Sequence, residues 1–344
     1  MELVLLGARR SNTIGGSGTA LPRKICFAES RRRRAPMRSR DGREGVVPFV
    51  TGNSIWRRTM SPLRATAVAL LSTGLLSAAS NAEQIYGVTQ TGFLTSWDST
   101  TPGTLAAGVA IQGLAQNEQI VGLDLRPATG ELYGMGSFSR LYKINPATGV
   151  ATAVGANFSP ALNGSSFGFD FNPTVDRIRL VSDADQNLRL NPTSGQVAFV
   201  DGNLQFAGGD PFAGTNPNVV HAAYTNNFAG ALTTTLYGID AALDTLVIQS
   251  PPNNGTLMTV GSIGADMTDI GGFDISGATG LAYAVILDAQ SAKSTFWSIN
   301  LQTGLGTLLG EIGGGAVITA LTVPAPSAAA LIALVGLRGR RRRA

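Results

Sequence analysis

A chain of 344 residues, with 26 Lys and Arg, 22 Asp and Glu, one His and one Cys, has the length for one large all-β domain or two smaller ones. The formal charge of +4 misleads, because residues 83–323 carry 7 basic against 18 acidic residues, a net charge near −11. A body of that sign repels phosphate backbones, which excludes nucleic acid as a partner, and Cys26 lies outside it, which excludes disulfide and thiol chemistry.

Residues 1–59 are rich in Arg, Ser and Gly and lack apolar periodicity. They read as an extension that is disordered or precedes the true start; a nucleic-acid-binding arm around Arg31–Arg34 is the alternative. Residues 60–82 read as a secretory signal: Arg64, the apolar run Ala65–Ala79, then Ser80-Asn81-Ala82, with cleavage expected after Ala82. The run is shorter than the ~20 apolar residues of a membrane-spanning helix.

From residue 83 the chain is a repeat of short alternating segments. Aligning on a small residue gives IVGLDL (120–125), SFGFDF (166–171), VHAAYT (220–225), GGFDI (271–275) and ITALTV (318–323). The aligned Gly122, Gly168, Ala222, Gly272 and Ala320 are spaced by 46, 54, 50 and 48 residues, the period of a four-stranded propeller blade. Each unit continues with a second strand (131–135, 176–181, 235–240, 281–286), a third (140–144, 187–190, 244–248, 295–299) and a fourth (150–155, 197–202, 256–261, 306–311). NPATG (145–149), NPTSG (191–195), PPNNG (251–255) and LQTG (301–304) supply hairpin turns between third and fourth strands. Residues 85–90, 93–99 and 105–111 read as a unit lacking its first strand, and ITALTV as a first strand with nothing after it. The expectation is an all-β, five-bladed β-propeller over 83–323, closed by the N- and C-terminal strands of the core; six blades or an open sandwich are the alternatives.

The C-terminal segment, 324–344, places Pro324 and Pro326 before the apolar stretch Ala328–Leu337 and then Arg338 and Arg340–Arg343. It resembles the short form of the bacterial PEP-CTERM sorting signals, with Val-Pro-Ala-Pro and no glutamate in the motif. The resemblance implies export, transient membrane anchoring and removal of the tail by a sorting transpeptidase. Within the core, DRIRLVSDADQNLRLNP, GTNPNVVHAAYTN and LDTLVIQSPPNNGTL resemble the bacterial family called domain of unknown function 4394, over about residues 90–323. That resemblance brings no activity with it.

Three sets of residues carry candidate chemistry. Asp124, Asp170 and Asp274 occupy one slot in three first strands, where paired carboxylates could serve glycoside chemistry or a repeated structural hydrogen bond; Tyr224 and Thr322 fill the slot elsewhere. Arg177, Arg179 and Arg189 offer a carboxylate- or sugar-binding patch, or else inter-blade ion pairs. Asp183, Asp185 and Asn187 alternate as oxygen ligands for Ca²⁺ would, without the glycine and distal glutamate of an EF-hand. No other cofactor is expected: the one histidine, His221, cannot build a histidine metal site. The reading is an exported, extracellular or cell-surface propeller, a non-catalytic binding or envelope module. Its expected partners are the export machinery, a sorting transpeptidase and a glycan or envelope polymer. The alternative is a carbohydrate-active or lactone-cleaving enzyme using the channel aspartates.

Overall fold

The computed structural model describes residues 82–324. The N-terminal extension, the signal segment up to Asn81 and the tail beyond Pro324 lie outside the described residues.

The described chain is an all-β, five-bladed propeller. The first blade holds β1 (Gln84–Thr89), β2 (Phe93–Asp98) and β3 (Val109–Ala110). The second holds β4 (Ile120–Leu125), β5 (Leu132–Gly136), β6 (Arg140–Ile144) and β7 (Ala151–Val154). The third holds β8 (Phe167–Asn172), β9 (Arg177–Ser182), β10 (Asn187–Leu190) and β11 (Val197–Val200). The fourth begins with β12 (Gln205–Phe206) and continues with β13 (Val219–Tyr224), β14 (Leu236–Asp240), β15 (Thr245–Gln249) and β16 (Thr256–Ser262). The fifth holds β17 (Gly271–Ile275), β18 (Ala282–Asp288), β19 (Lys293–Ile299) and β20 (Gly306–Glu311). β21 (Ile318–Thr322) then pairs antiparallel with β1, so that the first sheet runs β21-β1-β2-β3. The hairpin turns carry the left-handed glycines that their sequence demands, as at Gly149 (φ 74°) and Gly195 (φ 71°).

The expected mode of closure is corrected. The five sheets are separate, and no ladder of strand pairing joins one blade to the next. The β21–β1 pairing is internal to one blade, so the ring is held across its seams mainly by side chains, with isolated backbone contacts such as the Gln112–Val150 bridge between the first and second blades. Five apolar clusters do this, one per seam. Phe171 and Tyr133 pack edge to face between the second and third blades, with Leu180 and Leu188. Phe296 lies between Tyr283 and Trp97 at the seam of the fifth and first blades. Each such fully buried side chain contributes about 1.5–3 kcal/mol of transfer free energy.

The innermost strands β21, β4, β8, β13 and β17 contact one another in a ring around the axis. Their approach explains the aligned small residue. A Cβ on Gly168 would stand 2.7 Å from the Ala222 backbone nitrogen, and one on Gly272 2.6 Å from that of Leu321. The sequence signature of the repeat is thus a steric requirement at the seams. The one strand not legible beforehand is β12, two residues that pair parallel with the outer edge of β16.

Candidate functional site

Each innermost strand contributes residues at matched depths along the axis. At one end, the residues before the aligned small ones, Val121, Phe167, His221, Gly271 and Thr319, ring the mouth of a cavity of about 620 Å³. Next comes a throat lined by Leu123, Phe169, Phe273 and Leu321. Its free volume is about 20 Å³, room for about one water molecule. Three residues along each strand from the mouth ring, ~10 Å deeper, lie Asp124, Asp170 and Asp274.

These three aspartates are brought together: their carboxylate oxygens lie within 4.8 Å of one another, and each residue is 1% exposed. Among the described residues they are the set of acidic side chains whose geometry could hold a divalent cation. Their oxygens are also extensively committed. Asp124 Oδ2 accepts the Phe171 N–H of the third blade at 2.7 Å, and Asp170 Oδ1 accepts the Tyr224 N–H of the fourth at 3.1 Å. Asp274 Oδ2 accepts the N–H of Val323, just past β21, at 2.6 Å. Each carboxyl therefore latches its blade to the next. Thr322 completes the pattern: its hydroxyl lies 2.9 Å from Asp124 Oδ1 and 3.0 Å from Asp274 Oδ2, and accepts the Leu125 N–H at 3.3 Å.

One hydroxyl hydrogen cannot serve two carboxylates, so both contacts are satisfied only when one carboxyl is protonated and donates to Thr322. The electrostatics agree. Burial pushes Asp124 and Asp170 well above the ordinary carboxylate range, and repulsion within the trio adds to it. Burial raises Asp274 to about 6, against the pull of its N–H donors.

The arginines are also accounted for. Arg179 is 1% exposed; its Nη1 donates to Asn187 Oδ1 (2.5 Å) and Asp201 Oδ2 (2.7 Å). Its Nη2 donates to Asn253 Oδ1 (2.8 Å) and its Nε to the Tyr224 hydroxyl (3.3 Å), both in the fourth blade. Arg189 grips the same Asp201 at 2.7 and 2.8 Å and stacks on Phe199. Arg177 Nη1 donates to the Asp176 carbonyl. Arg179 and Arg189 thus form an ion lock around Asp201, and Arg177 stays apart from it.

The loop set Asp183, Asp185 and Asn187 is not assembled as a calcium site. Asn187 is buried and turned to the Arg179 lock, donating also to the Gly202 and Pro252 carbonyls. Asp183 Oδ1 accepts the N–H groups of Ser165 and Ser166. Asp185 keeps a buried oxygen without a partner, and burial together with Asp183 raises it above the ordinary range.

Two features of the site went unread in the sequence. Asp201 falls in the stretch 197–202 read as a fourth strand and Asn253 on the turn 251–255, and neither carries a local sign of the arginine lock it completes. The mouth ring was within reach, since the same alignment that finds Gly122 places Val121 and His221 in register.

The family model described as Domain of unknown function (DUF4394) matches residues 93–322. Comparison with curated proteins gives no match. Among solved structures, the chain is similar to one from the crystal structure of the nidogen/laminin complex, at 10% identity and a TM-score of 0.42, covering 71% of this chain and 98% of that one. It is similar to a structural genomics protein of unknown function from Bacteroides thetaiotaomicron VPI-5482, at 14% identity and a TM-score of 0.42, covering 71% of this chain and 65% of that one. A third likeness is to an auxiliary nutrient binding protein from Bacteroides ovatus ATCC 8483, at 16% identity and a TM-score of 0.35, covering 58% of this chain and 55% of that one.

Proposed function

The chain belongs to the DUF4394 family, a domain of unknown function, and from that starting point we propose that it is an exported, non-catalytic binding module of the cell surface or its surroundings. One observation carries the non-catalytic part: the carboxyls that would serve as acid and base are buried and spent on inter-blade hydrogen bonds. Their spacing is near that of a retaining glycosidase, whose carboxyls stand ~5 Å apart, but such a pair must flank a scissile bond. None of the three aspartates lines the mouth cavity or the throat.

Export is supported by the signal-like segment 60–82 and by the Pro-led apolar stretch with terminal arginines in 324–344. In this reading the export machinery and a sorting transpeptidase handle the two ends, and a glycan or envelope polymer is the partner of the propeller.

The test is an assay of the purified chain against chromogenic glycosides and lactones at pH 5 and 7, with mass spectrometry of the exported product. No turnover, a product beginning at Glu83 and loss of the arginine tail are expected. Turnover that disappears in Asp124→Asn would establish the enzyme reading instead.

A further inference from the structure

One residue of the cavity lining buries a polar atom without a partner. His221 is 5% exposed, lines both cavity and throat, and its Nε2 has no hydrogen-bond partner. It stands where β13 bulges against β14, between Val219 and His221, an irregularity of the kind that re-aims side chains beside binding sites. A buried imidazole nitrogen left unpaired is destabilising, and such groups are rare unless something fills the vacancy.

The chemistry of the occupant follows from the lining. Burial lowers His221 to about 4, with the Thr268 backbone and Asp269 acting against that shift, so the ring is neutral at physiological pH. A neutral imidazole carries its proton on one nitrogen, and with that proton on Nδ1, Nε2 is a lone-pair acceptor that calls for an O–H or N–H donor. No Lys or Arg lines the cavity, whereas Glu118 and Asp269 do, which disfavours anionic ligands. Glu118 does not call for a cation, because its oxygens accept from the Tyr142 hydroxyl and the Ala115 and Phe138 N–H groups. Asp269 is exposed, with Oδ1 taken by Asn218, and can accept from a ligand hydroxyl. Val121 and Phe167 give the ring an apolar side.

We propose that the mouth cavity binds a neutral, hydroxyl-rich ligand, the terminal sugar of a glycan, whose hydroxyl donates to His221 Nε2. The assignment rests on the reading of the protein as a non-catalytic binder and specifies its ligand. The cavity volume of about 620 Å³ falls in the ~300–1,000 Å³ range of small-ligand sites. The narrow throat makes it a blind pocket, which accepts a chain end rather than a threaded polymer.

The chain has a single histidine, so one imidazole signal reports on the site directly. Full chain purified without a histidine tag is titrated with the methyl glycosides of glucose, galactose, mannose and N-acetylglucosamine, with glucuronate and choline as charged counter-probes. At least one neutral glycoside should shift the His221 Nε2 resonance in long-range ¹H–¹⁵N spectra. His221→Phe should weaken that glycoside about tenfold at an unchanged melting temperature. The wild-type shift stands as evidence even where the variant misfolds. Silence of the Nε2 resonance to every neutral glycoside, preference for glucuronate or choline, or unchanged affinity in a folded His221→Phe would overturn the assignment. Release of methanol from a bound glycoside would overturn the non-catalytic reading itself, and is measured separately.

Discussion

The hydroxyl of Thr322 stands 2.9 Å from Oδ1 of Asp124, a contact between residues 198 positions apart in the chain. It lies at the seam between the last strand of the core and the second blade, which belong to separate sheets. Thr322→Val keeps the shape and removes the hydroxyl that links the Asp124 and Asp274 carboxyls, while Leu125 N–H keeps Asp124 Oδ1 as its acceptor. Urea denaturation should show a loss of about 1–3 kcal/mol.

The three seam carboxyls give a definite pH dependence. All are raised in the folded chain, Asp274 to about 6, so the folded state holds protons that the unfolded state releases. The stabilisation from Asp274 is full below about pH 4 and is lost as the pH rises through about 6, and that from Asp124 and Asp170 is likewise lost as the pH rises through their own raised values. Asp274→Asn removes one of these protons. Its deficit against the parent chain, measured by thermal melts, should be largest near pH 4 and shrink by pH 7.5.

Arg179 is the largest of the fully buried side chains among the described residues, with Asp201 6% exposed beneath it. Arg179→Met strands Asp201 beside Arg189 alone and should cost about 3–5 kcal/mol. Arg179→Lys should recover little, because a point charge cannot reach Asn187, Asp201, Asn253 and Tyr224 together. A double-mutant cycle with Asp201→Asn measures the coupling.

Asn187 belongs to this lock and not to a calcium loop. Asn187→Ala should therefore destabilise the chain by the same amount in EDTA and in millimolar calcium. A calcium-dependent difference between parent and variant would restore the loop as a metal site.

Gly168→Ala tests the seam requirement without touching any polar group. The new methyl would meet Ala222 backbone at 2.7 Å and Val181 Cγ2 at the same distance. Relief requires the third and fourth blades to part, at a cost of about 1–3 kcal/mol, read as a lowered denaturation midpoint.

The repeat made most of the architecture legible. Period-two alternation places β4, β8 and β17 within a residue of their observed limits, and the turn glycines mark where third and fourth strands meet. The same reading brought Asp124, Asp170 and Asp274 to one depth, because equal offsets from equal strands converge on the axis. What a single strand cannot carry is which partner a side chain finds across a seam. Arg179 reaches Asn253, 74 residues away, and no local pattern encodes that contact. The closure was misjudged for a related reason: strand pairing within the first blade is visible as two matching half-units, but packing between blades leaves no periodic signature. In the sequence the lone His221 offers no metal site, and its place in the mouth ring emerges only from the alignment of the inner strands.

The central claim is that the channel aspartates hold blades together and do no chemistry. The most direct measurement is the unfolding free energy of Asp124→Ala in urea at pH 5, below the raised value of about 6 at neighbouring Asp274. Loss of the acceptor for the Phe171 and Leu125 N–H groups should lower it by about 1–3 kcal/mol. A variant as stable as the parent, or more stable, as happens when a strained catalytic group is removed, would contradict the claim.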